Sequence, residues 1–114
     1  MTMNLVIERQ DEGDVAVLAL RGELDVESGP KLREALLEAI GEGGRRVVVD
    51  LEGVDFIDSA GLGVLVGGLK RARSNDGDLA LVATGRSVLK VLEITGLTRV
   101  FELHTAREAA LGAP

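Results

Sequence analysis

The chain has 114 residues, a formal net charge of −6 and no cysteine. This length allows one domain with a single hydrophobic core, which we expect to span residues 1–114. The acidic balance argues against nucleic acid or a membrane surface as a partner, and the lack of cysteine excludes disulfides and thiol chemistry. The first residues show no signal peptide, and no apolar run reaches the about 20 residues of a membrane span. We therefore expect a cytoplasmic protein.

Strands and helices alternate along the chain. In chain order, the apolar patterns first predict two strands, around 5–7 and 15–20, joined by a hairpin at 11–14. Helices and strands then alternate: a helix over 32–40, a strand over 45–51, a helix over 59–74 and a strand over 79–83. The last predicted elements are a helix over 87–95, a strand over 99–103 and a short helix through Leu111. Gly29 and Pro30 begin the first helix, and it ends at the glycines Gly41, Gly43 and Gly44. Thr105 and Glu108 have the spacing of a capping box for the last helix. This order predicts an α/β fold with a mixed, mostly parallel sheet of four to five strands and about four helices.

The segment FIDSAGLG at 56–63 joins the central strand to the longest helix. Asp58 and Ser59 are both good helix N-cap residues, but one of them suffices for capping. If Asp58 caps the helix, Ser59 remains available for chemistry. A helix N-terminus also tolerates negative charge, so a phosphate on Ser59 would be compatible with the folded chain.

Glycine interrupts this helix repeatedly, although each helical glycine costs about 1 kcal/mol relative to alanine. Helical spacing places Leu62, Leu65, Val66 and Leu69 on the face toward the sheet. The opposite face is a stripe of small side chains that ends in a cation, formed by Ala60, Gly63, Val64, Gly67 and Arg71. For Gly61 and Gly68, at the border of the core face, internal packing and partner contact both remain open. Gly63 and Gly67 favour an external partner.

Three segments in order resemble the STAS domain, and most closely the stand-alone bacterial anti-sigma-factor antagonists. They are GELD at 22–25, VVVDLEGVDFIDSAGLG at 47–63 and VLEITGLTRVFEL at 91–103. The resemblance implies a binding protein without catalytic residues, metal or cofactor of its own. It implies that an anti-sigma factor with serine kinase activity, which binds the ATP, phosphorylates Ser59 and that a serine phosphatase reverses the modification. The partner-binding residues that we predict are Asp25, Asp58, Ser59, Ala60, Gly61, Gly63, Val64 and Gly67.

One residue departs from the pattern, and several other interpretations compete with this one. Ala60 stands where many members carry a second serine or threonine, which leaves Ser59 as the acceptor. Other STAS domains belong to transporter tails, stress-signalling complexes or lipid-transport accessory subunits. Three alternatives come from other classes of protein. In a receiver domain, Asp50 would be the phosphoryl acceptor, and in a serine hydrolase, Ser59 would act with the lone His104. The glycine spacing of 61–67 weakly suggests a nucleotide site.

Overall fold

The computed structural model describes residues 5–42 and 45–112. Gly43 and Gly44, which we expected to end the first helix, lie outside these residues. Within them, the chain forms five strands, four α-helices and one 3₁₀ turn. In order these are β1 (Leu5–Glu12), β2 (Val15–Leu24), α1 (Gly29–Gly41), β3 (Arg46–Ile57), α2 (Ser59–Ser74), β4 (Asp78–Val82), α3 (Arg86–Ile94), the 3₁₀ turn (Leu97–Arg99), β5 (Glu102–His104) and α4 (Arg107–Gly112).

The strands form one mixed sheet in the order β1-β2-β3-β4-β5. β1 pairs with β2 antiparallel, and the other three pairs are parallel. Each connection between parallel strands moves in the same direction across the sheet, so right-handed crossovers place α1, α2 and α3 on one face. The main core lies under these three helices, whereas α4 covers the other face by packing Ala110 with Val17, Val48 and Val82. The predicted fold class is therefore confirmed.

Four strands differ from the sequence prediction. β1 extends to Glu12 and β2 to Leu24, because the two pair along their length from Leu5 with Gly22 to Glu12 with Val15, so the predicted hairpin connection at 11–14 shortens to residues 13–14. β3 continues to Ile57 instead of ending at 51, because buried Val54 and Ile57 extend its inward face and it keeps pairing with β2 as far as Leu24. β5 begins only at Glu102, because the N–H groups of Val100 and Phe101 both donate to the carbonyl of Leu97 and form a turn there.

The helices lie close to their predicted positions. α2 has the predicted bounds, and α1 and α3 differ by a few residues at their ends. α4 begins at Arg107, one residue later than a capping box at Thr105 requires. The end of β3 and the start of α2 lie at the carboxyl edge of the parallel strands. This is the edge where α/β domains commonly place their functional residues.

Candidate functional site

Asp58 organises the junction between β3 and α2. It is the N-cap residue of α2 and has an extended backbone, with φ −112° and ψ −176°. Its carboxylate accepts a hydrogen bond of 2.9 Å from the N–H of Gly61, and its own N–H donates to the carbonyl of Leu24 at 3.2 Å. Asp58 therefore satisfies one of the N–H groups that the first turn of a helix leaves free, and it ties α2 to the end of β2.

Ser59 is the first residue of α2 and is exposed to solvent. Because Asp58 caps the helix, the hydroxyl of Ser59 is not needed for capping. The helix dipole and the remaining free N–H groups of the first turn favour negative charge at this position. A phosphoryl group on the Ser59 oxygen is thus compatible with the folded helix, and the serine is accessible to another protein. Its phosphorylation stays a prediction.

The glycines at the core border of α2 pack closely against other parts of the domain. Gly61 is buried, and a Cβ atom there would lie 2.5 Å from the carbonyl oxygen of Leu24. Gly68 is also buried, and its Cβ would lie 2.9 Å from a methyl group of Leu36. Gly61 was predicted as a partner-binding residue with internal packing left open, and the close approach of Leu24 decides for internal packing.

Gly63 and Gly67 lie on the open side of the same helix. Both are exposed, and a Cβ atom at either position would have no heavy-atom neighbour within 4 Å. Leu62 and Leu65 are buried on the opposite side, toward the sheet. The predicted division of α2 into a core face and a smooth outer stripe is therefore confirmed, with the correction at Gly61.

The outer stripe forms one wall of a groove between α1 and α2. We call this cavity of about 290 Å³ the α1–α2 groove. From α2 it is lined by Ala60, Gly63, Val64, Gly67, Gly68 and Arg71, and from α1 by Arg33, Leu36, Leu37 and Ile40. The groove begins beside Ser59 and contains all five residues of the predicted stripe. Its other wall could not be predicted, because the sequence does not reveal how α1 packs on α2.

Asp25, the other predicted interface residue, holds together the loop between β2 and α1. Its carboxylate accepts hydrogen bonds from the N–H groups of Glu27 at 3.0 Å and of Ser28 at 2.9 Å. The hydrogen bond from the Ser28 N–H is the main reason why the pKa of the Asp25 carboxyl is lowered. The Ser28 hydroxyl, which is buried, donates to the carbonyl of Glu23 at 2.7 Å. Asp25 thus fixes the shape of a loop that follows Leu24, the residue that contacts the start of α2.

Two exposed apolar side chains lie at the same end of the sheet. Val26 in the β2–α1 loop is 70% exposed, and Phe56 near the end of β3 is 48% exposed. Phe56 pairs with Glu23 in the sheet, which places it close to that loop. Solvent-exposed apolar side chains around a functional residue are typical of a protein-binding surface. Neither residue was predicted as part of the interface, although a valine within the polar segment DVESG was a usable signal.

The receiver interpretation depends on a free Asp50, but this carboxylate is paired. Asp50 is 8% exposed, and its Oδ2 atom lies 2.8 Å from the guanidinium of Arg107 in α4. Its other oxygen accepts a hydrogen bond from the N–H of Glu52. An aspartate in these contacts links β3 to α4 and is poorly placed to accept a phosphoryl group.

The hydrolase interpretation requires His104 near Ser59. In the sheet, His104 lies beside Val82, which in turn lies beside Asp50 of β3. Asp50 is seven residues before Ile57, so His104 lies roughly 20 Å from the end of β3 along the strand direction. Its ring contacts Glu102, whose pKa is lowered to about 2, first by the hydrogen bond from Arg46 and then by His104. His104 therefore contacts Glu102 and does not form a catalytic pair with Ser59.

The glycine spacing does not form a nucleotide site, since Gly61, Gly63 and Gly67 all lie within α2 and not in a loop before it. Among residues 5–42 and 45–112, no group of three or more acidic or histidine side chains converges on a metal position. In the same ranges, no helix is long and apolar enough to cross a bilayer.

Comparisons with known proteins agree with this geometry. A family model described as the STAS domain matches residues 6–110. The chain belongs to the STAS domain family. The Anti-sigma-B factor antagonist of Staphylococcus aureus (strain NCTC 8325 / PS 47) is 36% identical to this STAS domain over 106 residues, which are 93% of this chain and 98% of that protein.

Solved structures give the same result for the fold. An anti-sigma factor antagonist from Mycobacterium paratuberculosis has a TM-score of 0.86 at 27% identity, covering 95% of this chain and 92% of its own. The anti-sigma factor antagonist SpoIIAA in its unphosphorylated form has a TM-score of 0.76 at 25% identity, covering 91% and 92%. These similarities extend over nearly the whole length of each chain, so the predicted family is confirmed.

Proposed function

We propose that this STAS domain is an anti-sigma factor antagonist whose binding is switched by phosphorylation of Ser59. The main support is the position of Ser59, which is exposed at the amino end of α2 and lies beside the α1–α2 groove. Asp58 caps the helix, so the Ser59 hydroxyl is not needed for capping. The similarity to named anti-sigma factor antagonists supports the class of the partner. The protein acts in the cytoplasm, where sigma factors direct transcription.

In the unphosphorylated state, the end of the sheet and the groove bind the anti-sigma factor, which then releases its sigma factor. The contact surface comprises the Asp25 loop, Ser59 and the outer stripe of Ala60, Gly63, Val64 and Gly67. This surface combines exposed apolar groups with a smooth helix that allows close approach, as protein interfaces require. Asp58 and Gly61 contribute indirectly, because they fix the start of α2.

The same partner acts as the serine kinase and holds the ATP. In the transfer, the Ser59 oxygen bonds to the γ-phosphorus, the bond to the bridging oxygen breaks, and ADP leaves. The hydroxyl proton passes to a base of the kinase, so the antagonist supplies only the acceptor oxygen. A serine phosphatase hydrolyses the phosphate ester with water and restores the binding state.

The phosphate ends binding through its charge. It adds about −1.5 to −2 charges at the edge of the contact surface, directly after the carboxylate-bearing cap residue Asp58. The helix N-terminus accommodates this charge within the antagonist, but docking would remove it from water against the partner. The fold is therefore retained while the complex is destabilised.

The decisive experiment is incubation with the anti-sigma factor kinase of the same organism and ATP, followed by mass spectrometry. We expect one phosphoryl group per chain, on Ser59, and none on the Ser59→Ala variant. The product should withstand hydroxylamine, which cleaves an acyl phosphate on an aspartate. Phosphate on another serine or threonine, or loss on hydroxylamine treatment, would contradict the proposal.

A further inference from the structure

The α1–α2 groove is positively charged within an acidic protein. Arg33 of α1 and Arg71 of α2 line it, and none of its described lining residues is acidic, although the whole chain carries a net charge of −6. Both arginines are exposed. The ion pairs among the described residues use other cations, namely Arg9, Arg45, Arg46, Arg73 and Arg107. The groove therefore offers two uncompensated positive charges to a partner.

The shape of the groove suits a helix. Along α2 it extends from Ala60 to Arg71, which corresponds to about 16 Å or three helical turns. Leu37 and Val64 give it apolar walls, and Gly63 and Gly67 leave open space where side chains would otherwise project. An amphipathic helix satisfies its own backbone hydrogen bonds and places an apolar stripe into such a groove.

We infer that the α1–α2 groove binds an acidic amphipathic helix of the anti-sigma factor. The apolar side chains of that helix pack against Val64 and over Gly63 and Gly67, while its carboxylates pair with Arg33 and Arg71. This inference rests on the proposed function and identifies the segment of the partner that the site recognises. Charge complementarity selects this occupant, since a basic segment would be repelled by both arginines.

The inference also gives a phosphate on Ser59 a second way to weaken the interface. Ser59 precedes Ala60, the first groove residue of α2, so the phosphate lies at one end of the groove. There it repels the partner carboxylates that lie nearest to the start of α2. With an acidic partner helix this repulsion adds to the desolvation cost of the phosphate, whereas a neutral helix in the same groove would meet the desolvation cost alone.

The test is a double charge reversal, Arg33→Glu with Arg71→Glu, measured by isothermal titration with the purified anti-sigma factor. The matched control reverses two exposed arginines outside the groove, Arg86→Glu with Arg99→Glu, which gives the same net charge. We expect the groove variant to bind at least about tenfold more weakly than this control. Thermal melts of both variants check that the fold is unchanged.

The outcomes separate the inference from the proposed function. If the wild type binds and is phosphorylated on Ser59 but the groove variant matches the control, the groove inference is wrong and the proposed function stands. If the wild type neither binds the anti-sigma factor nor is phosphorylated by it, the proposed function fails and the inference fails with it.

A cross-linking experiment identifies the occupant. The chain contains no cysteine, so Gly67→Cys introduces a unique thiol at an open position of the groove. A photoreactive cross-linker on this thiol should capture, in the complex, a helical segment of the anti-sigma factor with several Asp or Glu residues. Capture of a basic segment, capture only of a second copy of this chain, or no capture in a complex that forms normally would each overturn the inference.

Discussion

Two strand-to-helix junctions of this domain, β2–α1 and β3–α2, use the same pair of residue types for different purposes. At the β2–α1 junction, Asp25 and Ser28 are bonded to each other and to the loop backbone, and the Ser28 side chain is buried. At the β3–α2 junction, Asp58 caps the helix alone, and Ser59 is exposed. The first pair holds a loop in shape, whereas the second pair leaves one hydroxyl free.

The difference lies in the spacing and in what surrounds the serine. Asp25 and Ser28 are three positions apart and close a compact loop, in which the buried Ser28 hydroxyl has hydrogen-bond partners, as burial demands. Asp58 and Ser59 are adjacent, so the serine is the first helical residue and Asp58 alone accepts the capping hydrogen bond. An exposed serine after such a cap is accessible to another protein, whereas a buried serine that is bonded within its loop is not.

The largest effect that we expect is the loss of partner binding on phosphorylation of Ser59. A desolvated, unpaired charge at an interface costs about 2–5 kcal/mol, which corresponds to roughly 30- to several-thousand-fold in affinity. Ser59→Asp should weaken binding only partly, since it carries one charge and is smaller, and Ser59→Ala should bind nearly as well as the wild type. Isothermal titration of these forms against the anti-sigma factor measures the difference.

The comparison of the junctions supplies the control for this experiment. Ser28 should remain unmodified in the same kinase reaction, because its hydroxyl is buried and already donates to Glu23. Equal affinity of the phosphorylated and unphosphorylated protein would rule out a charge switch at Ser59. A phosphoryl group on Ser28 would show that the two junctions do not differ as the structure indicates.

A second, smaller effect concerns the contact that links the two junctions. Gly61→Ala should lower the free energy of unfolding by about 1–3 kcal/mol, because the new methyl group would press on the Leu24 carbonyl. Gly67→Ala, the matched control on the same helix, should raise it by up to about 1 kcal/mol, since the position is open. Urea denaturation of both variants measures these changes. Similar destabilisation by both would mean that Gly67 also packs internally.

The sequence was informative where local patterns decide the structure. The bounds of α2 and its two faces follow from the cap at Asp58 and the spacing of its leucines, and both were predicted correctly. The bounds of β3 and β5 were not, because they depend on pairing with β2 and on the turn around Leu97. The role of Gly61 and the second wall of the groove depend on contacts with Leu24 and with α1, which are distant in sequence.

A third prediction tests the structural role of the first junction. Ser28→Ala should lower the free energy of unfolding by about 1–2 kcal/mol, because it leaves the Glu23 carbonyl and the Asp25 N–H without their partner. Ser59→Ala should change it by less than about 0.5 kcal/mol, as exposed substitutions usually do. Chemical denaturation of the two variants decides this. If Ser59→Ala were the more destabilising change, the assignment of capping to Asp58 alone would be wrong.

The smallest effect is a pH dependence that arises at the first junction. The pKa of the Asp25 carboxyl is lowered in the folded protein, mainly by the hydrogen bond from the Ser28 N–H. The unfolded chain therefore binds this proton more readily, so Asp25 stabilises the fold fully above its unfolded pKa of about 3.9 and loses this contribution as the pH falls through the lowered folded value.

Asp25→Asn lacks the titrating group, and its stability deficit relative to the wild type should be present at pH 7 and shrink toward pH 3. Urea denaturation at pH 7, 5 and 3 measures this, with Asp14→Asn in the hairpin as the control for removing one negative charge. A stability deficit of Asp25→Asn that stayed constant between pH 7 and pH 3 would show that the charge of Asp25 does not contribute to the stability of the loop.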